Sequence, residues 1–93
     1  MEEKTDAELV GLALSGDKDD FAALIQRHEG RVRPVAARLA GDSDLAAELV
    51  QEATLQAYLS LEHLKDPSKF KSWLVGIVWN MHKDLIADVF KQK

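Results

Sequence analysis

The 93 residues predict an all-α protein, a compact bundle of about four helices, and three observations carry that expectation. Apolar residues recur at three- and four-residue spacing along most of the chain. No run alternates apolar and polar residues for long enough to argue a strand. Helix start and stop signals cut the chain into four segments, with only five glycines and two prolines as punctuation.

The first segment, about 6–15, opens at Thr5-Asp6-Ala7-Glu8, where a threonine and a glutamate three residues on can form a capping box. Gly16 supplies its stop. Asp17, Asp19 and Asp20 place carboxylates at the start of the second, about 18–40, where the helix dipole favours them. Phe21, Leu24, Ile25, Val32, Val35, Ala36 and Leu39 give it an apolar face. Pro34 falls inside that pattern and is expected to bend or interrupt the helix, and Gly41 ends it.

Asp42-Ser43-Asp44 caps the third segment, about 44–63. Ala46, Val50, Ala53, Ala57, Leu61 and Leu64 form one stripe of small and apolar residues suited to close helix packing. A second stripe, Asp44, Glu48, Gln51, Leu55, Tyr58 and Glu62, is acidic and polar yet contains a leucine and a tyrosine. Either those two reach under a neighbouring helix, or the stripe binds a protein through an apolar centre with a charged rim.

The loop Leu64-Lys65-Asp66-Pro67-Ser68 leads to the fourth segment, about 68–90, with Phe70, Trp73, Leu74, Ile77, Met81 and Leu85 as its core face. Val75, Trp79, Ile86 and Phe90 lie off that face, with His82 and Lys83 beside them. This second stripe is either buried against the bundle or a surface for a partner or for stacked bases. Residues 1–93 read as a single domain, and Lys91-Gln92-Lys93 could begin a linker.

Composition narrows the function. A chain of this size buries only roughly 60–65% of its unfolded surface, enough for one core. With 46% apolar and 30% charged residues it is neither disordered nor membrane-spanning in composition. The absence of cysteine excludes disulfides and a thiol nucleophile, and no signal peptide is visible, which together point to the cytoplasm. The net charge of −4 conceals an asymmetry. Residues 1–62 carry 6 Lys/Arg against 13 Asp/Glu, whereas residues 63–93 carry 6 Lys against 3 Asp. The basic third is either a surface suited to phosphate or a solvated helix with a lysine-rich tail.

Catalytic patterns are missing: there is no Gly-rich phosphate loop, no His-Glu-x-x-His helix and no nucleophile elbow. The expectation is therefore a protein that is not an enzyme, with no cofactor, no metal and no small-molecule substrate. His28 reads as a packed core histidine, and His63 and His82 have no partner at metal-ligand spacing. Arg27, Arg31 and Arg38 share a face of the second helix, with Arg33 offset. They are expected to pair with acids of the third helix, the alternative being a nearby polyanion.

In order along the chain, these segments resemble domain 2 of bacterial RNA polymerase sigma factors, of the small extracytoplasmic-function (ECF) type. Asp6-Ala7-Glu8-Leu9-Val10, Ser15-Gly16-Asp17 and Phe21-Ala22-Ala23-Leu24 are similar to the family's first helix and the entry to its second. Arg31-Val32, Ala36-Ala37-Arg38-Leu39 and Gly41-Asp42 continue in register. Glu48-Leu49-Val50-Gln51-Glu52 resembles the Asp-Leu-Val-Gln-Glu signature, with Glu for Asp. Phe70-Lys71-Ser72-Trp73-Leu74, Ile77, Asn80 and Asp84-Leu85 resemble the closing helix.

The resemblance implies a sigma factor domain 2 fold and two binding surfaces. Asp44, Glu48, Gln51, Glu52 and Leu55 would dock on the clamp coiled coil of the RNA polymerase core. Lys65, Asp66, Pro67, Ser68, Lys69, Phe70, Lys71, Asn80 and Lys83 would recognise and melt the promoter −10 element as single-stranded non-template DNA. Trp73 matches a family position but is expected to be mainly structural. An anti-sigma factor is the further partner implied, and no membrane is involved. The chain departs from the family pattern where Trp79 replaces an arginine, and where Ile86-Ala87-Asp88-Val89-Phe90 replaces an Arg-rich run. Ala53-Thr54 also replaces the bulky pair often found after Gln-Glu. The domain that reads the −35 element is not in this chain. These departures leave a second reading, a sigma mimic that binds an anti-sigma factor without binding DNA.

Overall fold

The computed structural model describes residues 3–91, with side chains to Ile86. Four helices, α1 (Asp6–Leu14), α2 (Lys18–Ala40), α3 (Ser43–Ser60) and α4 (Phe70–Lys91), pack as an all-α bundle. Two short 3-10 turns, Leu61–His63 and Pro67–Lys69, join α3 to α4.

Local chemistry sets each boundary. The Glu8 backbone N–H donates to Thr5 Oγ1 at 3.1 Å while the Thr5 N–H donates to Glu8 Oε1 at 3.4 Å, completing the capping box of α1. At its other end the Gly16 N–H donates to the Ala13 carbonyl and the Asp17 N–H to that of Leu12. This is a Schellman stop, and it needs the left-handed backbone that Gly16 adopts at φ 107°. Asp17 Oδ1 then accepts the N–H groups of Asp19 and Asp20, at 2.9 and 3.2 Å. These bonds, led by the one from Asp20, hold the Asp17 carboxyl below its ordinary value of 3.8. Asp42 caps α3 in the same way through Asp44 and Leu45.

α2 runs through Pro34 without interruption, contrary to one of the two expectations for that residue. Val32 and Ala36, on either side of it, are both buried, so core packing on this face offsets the hydrogen bond that proline cannot make. α3 ends at Ser60, three residues before the expected His63, and its last turn tightens into the 3-10 turn.

The core consists of Leu9, Val10 and Ala13 of α1, Phe21, Leu24, Val32 and Ala36 of α2, Ala46, Leu49, Ala53 and Ala57 of α3, Leu61, and Phe70, Leu74 and Val78 of α4. Two residues of α4 depart from its sequence-derived core face, and Leu49 of α3, absent from the expected stripe, is buried. Leu85 lies on the inward stripe of α4 but is 55% exposed, and Val78, absent from that stripe, is fully buried. Leu85 stands beside Ala40 and Leu45, at the end of α2 and the start of α3, where no further element covers it among the described residues. Phe90 and the residues after Lys91 fall outside the described side chains.

Candidate functional site

The segment between α3 and α4 is a short loop held in one shape by its own side chains. Asp66 is extended, and its Oδ1 accepts both the Ser68 N–H at 3.1 Å and the Ser68 hydroxyl at 2.7 Å. Pro67 occupies the first position of the second 3-10 turn, where a missing N–H costs nothing. The Ser68 hydroxyl, then the Ser68 N–H, then the Lys69 charge hold the Asp66 carboxyl below its ordinary value of 3.8. The Lys69 N–H closes the turn on the Asp66 carbonyl, and the Phe70 N–H on that of Pro67.

Lys65, Asp66, Ser68 and Lys69 are exposed, while Pro67 and Lys71 are half-buried. Phe70 corrects the expectation that placed it among the DNA contacts. Its ring is fully buried, 5.9 Å from that of Trp73. Trp73 departs from its expected structural role only in part, since it packs on the core from a half-buried position.

At 100° per residue Trp73, Gly76, Asn80 and Lys83 share one strip of α4, extending about 15 Å along it, and Lys69 stands in the 3-10 turn immediately before α4. Asn80 and Lys83 are both exposed on this strip. Lys71 is not brought to it, because nine residues separate it from Asn80 and place it about half a turn away. Trp79 is 50% exposed beside the strip.

α3 presents the second surface. Asp44, Glu48, Gln51 and Leu55 point away from the buried Ala46, Leu49, Ala53 and Ala57, and all four are exposed. Glu52 is also exposed but turns toward α4. There Glu48, Glu52 and Asp84 rim an apolar groove of about 820 Å³ floored by Leu45, Leu49, Met81, Leu85 and Ile86. Gln51 lies on the opposite flank, in a smaller groove against α2. The structure adds Leu59, 64% exposed and one turn from Leu55, which is 56% exposed. That i, i+4 leucine pair was the available sequence signal. Tyr58 does reach a neighbouring helix, meeting Phe21 edge to face.

The arginines of α2 pair differently from expectation. Arg27 Nη1 donates to Asp6 Oδ1 at 2.9 Å, on α1, and Arg33 bonds Glu29 within its own helix. Among the described residues no ion pair joins α2 to α3. His28 is half-buried, with Nε2 2.8 Å from Asp6 Oδ2. Among the described residues no group of three or more His, Asp or Glu could hold a metal ion, and no helix is long and apolar enough to cross a membrane.

The structure is thus a four-helix bundle with a cationic, self-capped loop and a separate acidic helix face. The Sigma-70 region 2 family model matches residues 24–89, and the chain belongs to that family, in its ECF branch. It is 33% identical over 86 residues to the ECF RNA polymerase sigma-E factor of Haemophilus influenzae, covering 92% of this chain and 45% of that protein. It is 32% identical over 86 residues to the sigma-E factor of Escherichia coli K12, covering 92% and 44%. With the ECF sigma factor SigW of Bacillus subtilis it shares 30% over 71 residues, covering 76% and 38%. The chain thus spans less than half the length of these curated relatives. No solved structure matches it.

Proposed function

We propose that this domain acts in transcription initiation, docking on the RNA polymerase clamp coiled coil through α3 and capturing the promoter −10 element as single-stranded non-template DNA. The observation that carries the reading is the Asp66–Ser68 cap, which presents Lys65, Ser68 and Lys69 to solvent directly ahead of the Asn80–Lys83 strip of α4. A cationic strip neutralises backbone phosphates, and a fixed loop offers a place for an extruded base. Extruding it costs a few kcal/mol of stacking, which loop and phosphate contacts repay. On α3, the exposed leucines supply apolar contact, while Asp44, Glu48 and Glu52 steer and orient docking.

The test is a salt titration of single-strand binding. Lys69→Ala with Lys83→Ala is expected to weaken binding about tenfold and to flatten the logarithmic salt slope by about 1.4, or 0.7 per lost phosphate contact. Unchanged affinity removes the DNA reading.

A second reading has its own observation. Exposed Trp79 and Ile86 stand where cations are missing, beside the acid-rimmed groove, and this surface suits an anti-sigma partner of a DNA-silent mimic. Clamp binding without single-strand binding would favour it.

A further inference from the structure

The family match begins at residue 24, and α1 lies wholly before it. Nevertheless α1 packs on both 3-10 turns as well as on α2. Its anchor is Asp6, whose two carboxylate oxygens are used separately. Oδ1 accepts from Arg27 and Oδ2 meets His28 Nε2, each across more than twenty positions of sequence. The same imidazole lies 5.6 Å from the ring of Phe70, the residue at which the loop becomes α4 and whose N–H bonds Pro67. Asp6 and His28 are themselves half-buried, which strengthens the link between them.

We propose that the Asp6–His28–Phe70 stack fixes the shape of the Lys65–Lys69 loop, so that His28, with Asp6, is a positioning residue for base capture. This rests on the proposed −10 reading. Asp6 orients the imidazole, the imidazole sets the Phe70 ring, and Phe70 sets where the Asp66–Ser68 turn joins its helix. His28 touches no DNA; it acts through Phe70.

The test uses a single strand enriched from a random pool by the wild-type domain, and the same strand made abasic at the captured position. The affinity ratio of the two reports base capture separately from phosphate binding. His28→Ala and Asp6→Ala are expected to lower that ratio about five- to tenfold. Affinity for the abasic strand and the salt slope should stay at wild-type values. His28→Gln, whose amide can still donate to Asp6, should restore part of the ratio. Ala46→Gly, a core change in α3, serves as the control for stability alone. A ratio unmoved in His28→Ala, or lowered no further than in Ala46→Gly, overturns the proposal. Should wild type itself not distinguish the two strands, the −10 reading fails, and the amide NMR signals of Ser68 and Lys69 decide the stack. Shifts in His28→Ala well beyond those in Ala46→Gly support it, and unmoved signals overturn it.

Discussion

Phe21 and Tyr58 meet edge to face, with ring centroids 5.1 Å apart and planes 67° apart. The contact ties the first turn of α2 to the last turns of α3 and leaves Tyr58 half on the outer surface, one residue from Leu59. It pins the end of the helix that carries the acidic and leucine-bearing face.

Removing that contact tests its weight. Tyr58→Ala is expected to cost about 1–3 kcal/mol, from lost apolar burial and the aromatic pair. A domain of this size should then melt several degrees lower, at about 4–8 °C per kcal/mol. Tyr58→Phe should be close to neutral, because no described group hydrogen-bonds the phenol oxygen. Thermal melts of the two variants provide the check.

The loop cap gives a pH dependence with a fixed sign. Asp66 is held below its ordinary value of 3.8 by bonds that exist only in the folded state. Its contribution is therefore complete above that value and is lost as pH falls through the lowered folded one. Carboxyl-carbon NMR should show Asp66 titrating below 3.8 in the wild type and closer to 3.8 in Ser68→Ala. Equal midpoints in the two proteins would remove the hydroxyl as the cause.

The two leucines of the α4 inner stripe should behave differently. Leu74→Ala, at a buried site, is expected to cost about 2–5 kcal/mol. Leu85→Ala, at the uncovered end, should cost under about 1 kcal/mol. Urea unfolding curves measure both.

Docking on polymerase should depend on the outer face of α3. Leu55→Ala and Leu59→Ala are each expected to weaken binding to a clamp coiled-coil fragment about tenfold, as anchors at an interface centre do. Both residues are more than half exposed, so the melting temperature should hardly move. Calorimetric titration against the fragment, beside a melt, separates the two effects.

Element starts were the most legible part of the sequence, because Thr5, Asp17 and Asp42 bond N–H groups two or three residues away and such chemistry is written locally. The outward placement of Asp44, Glu48, Gln51 and Leu55 follows equally from helical period. Periodicity gives a direction but not how far the bundle extends, so Leu85 was read as core and Val78 was missed. Phe70 was assigned to the DNA surface by its place in a motif, whereas its apolar ring is drawn inward. The Arg27–Asp6 and His28–Asp6 contacts span 21 and 22 positions and leave no local trace.

The central claim is that the loop and the α4 strip read single-stranded promoter DNA while α3 holds polymerase. Fluorescence anisotropy of a labelled non-template-strand pool, titrated with the domain at two salt concentrations in the presence of a clamp coiled-coil fragment, addresses it most directly. The expected result is sequence-selective binding that weakens as salt rises and falls about tenfold on Lys69→Ala with Lys83→Ala. Clamp binding with no binding of any single strand, at either salt concentration, would contradict it.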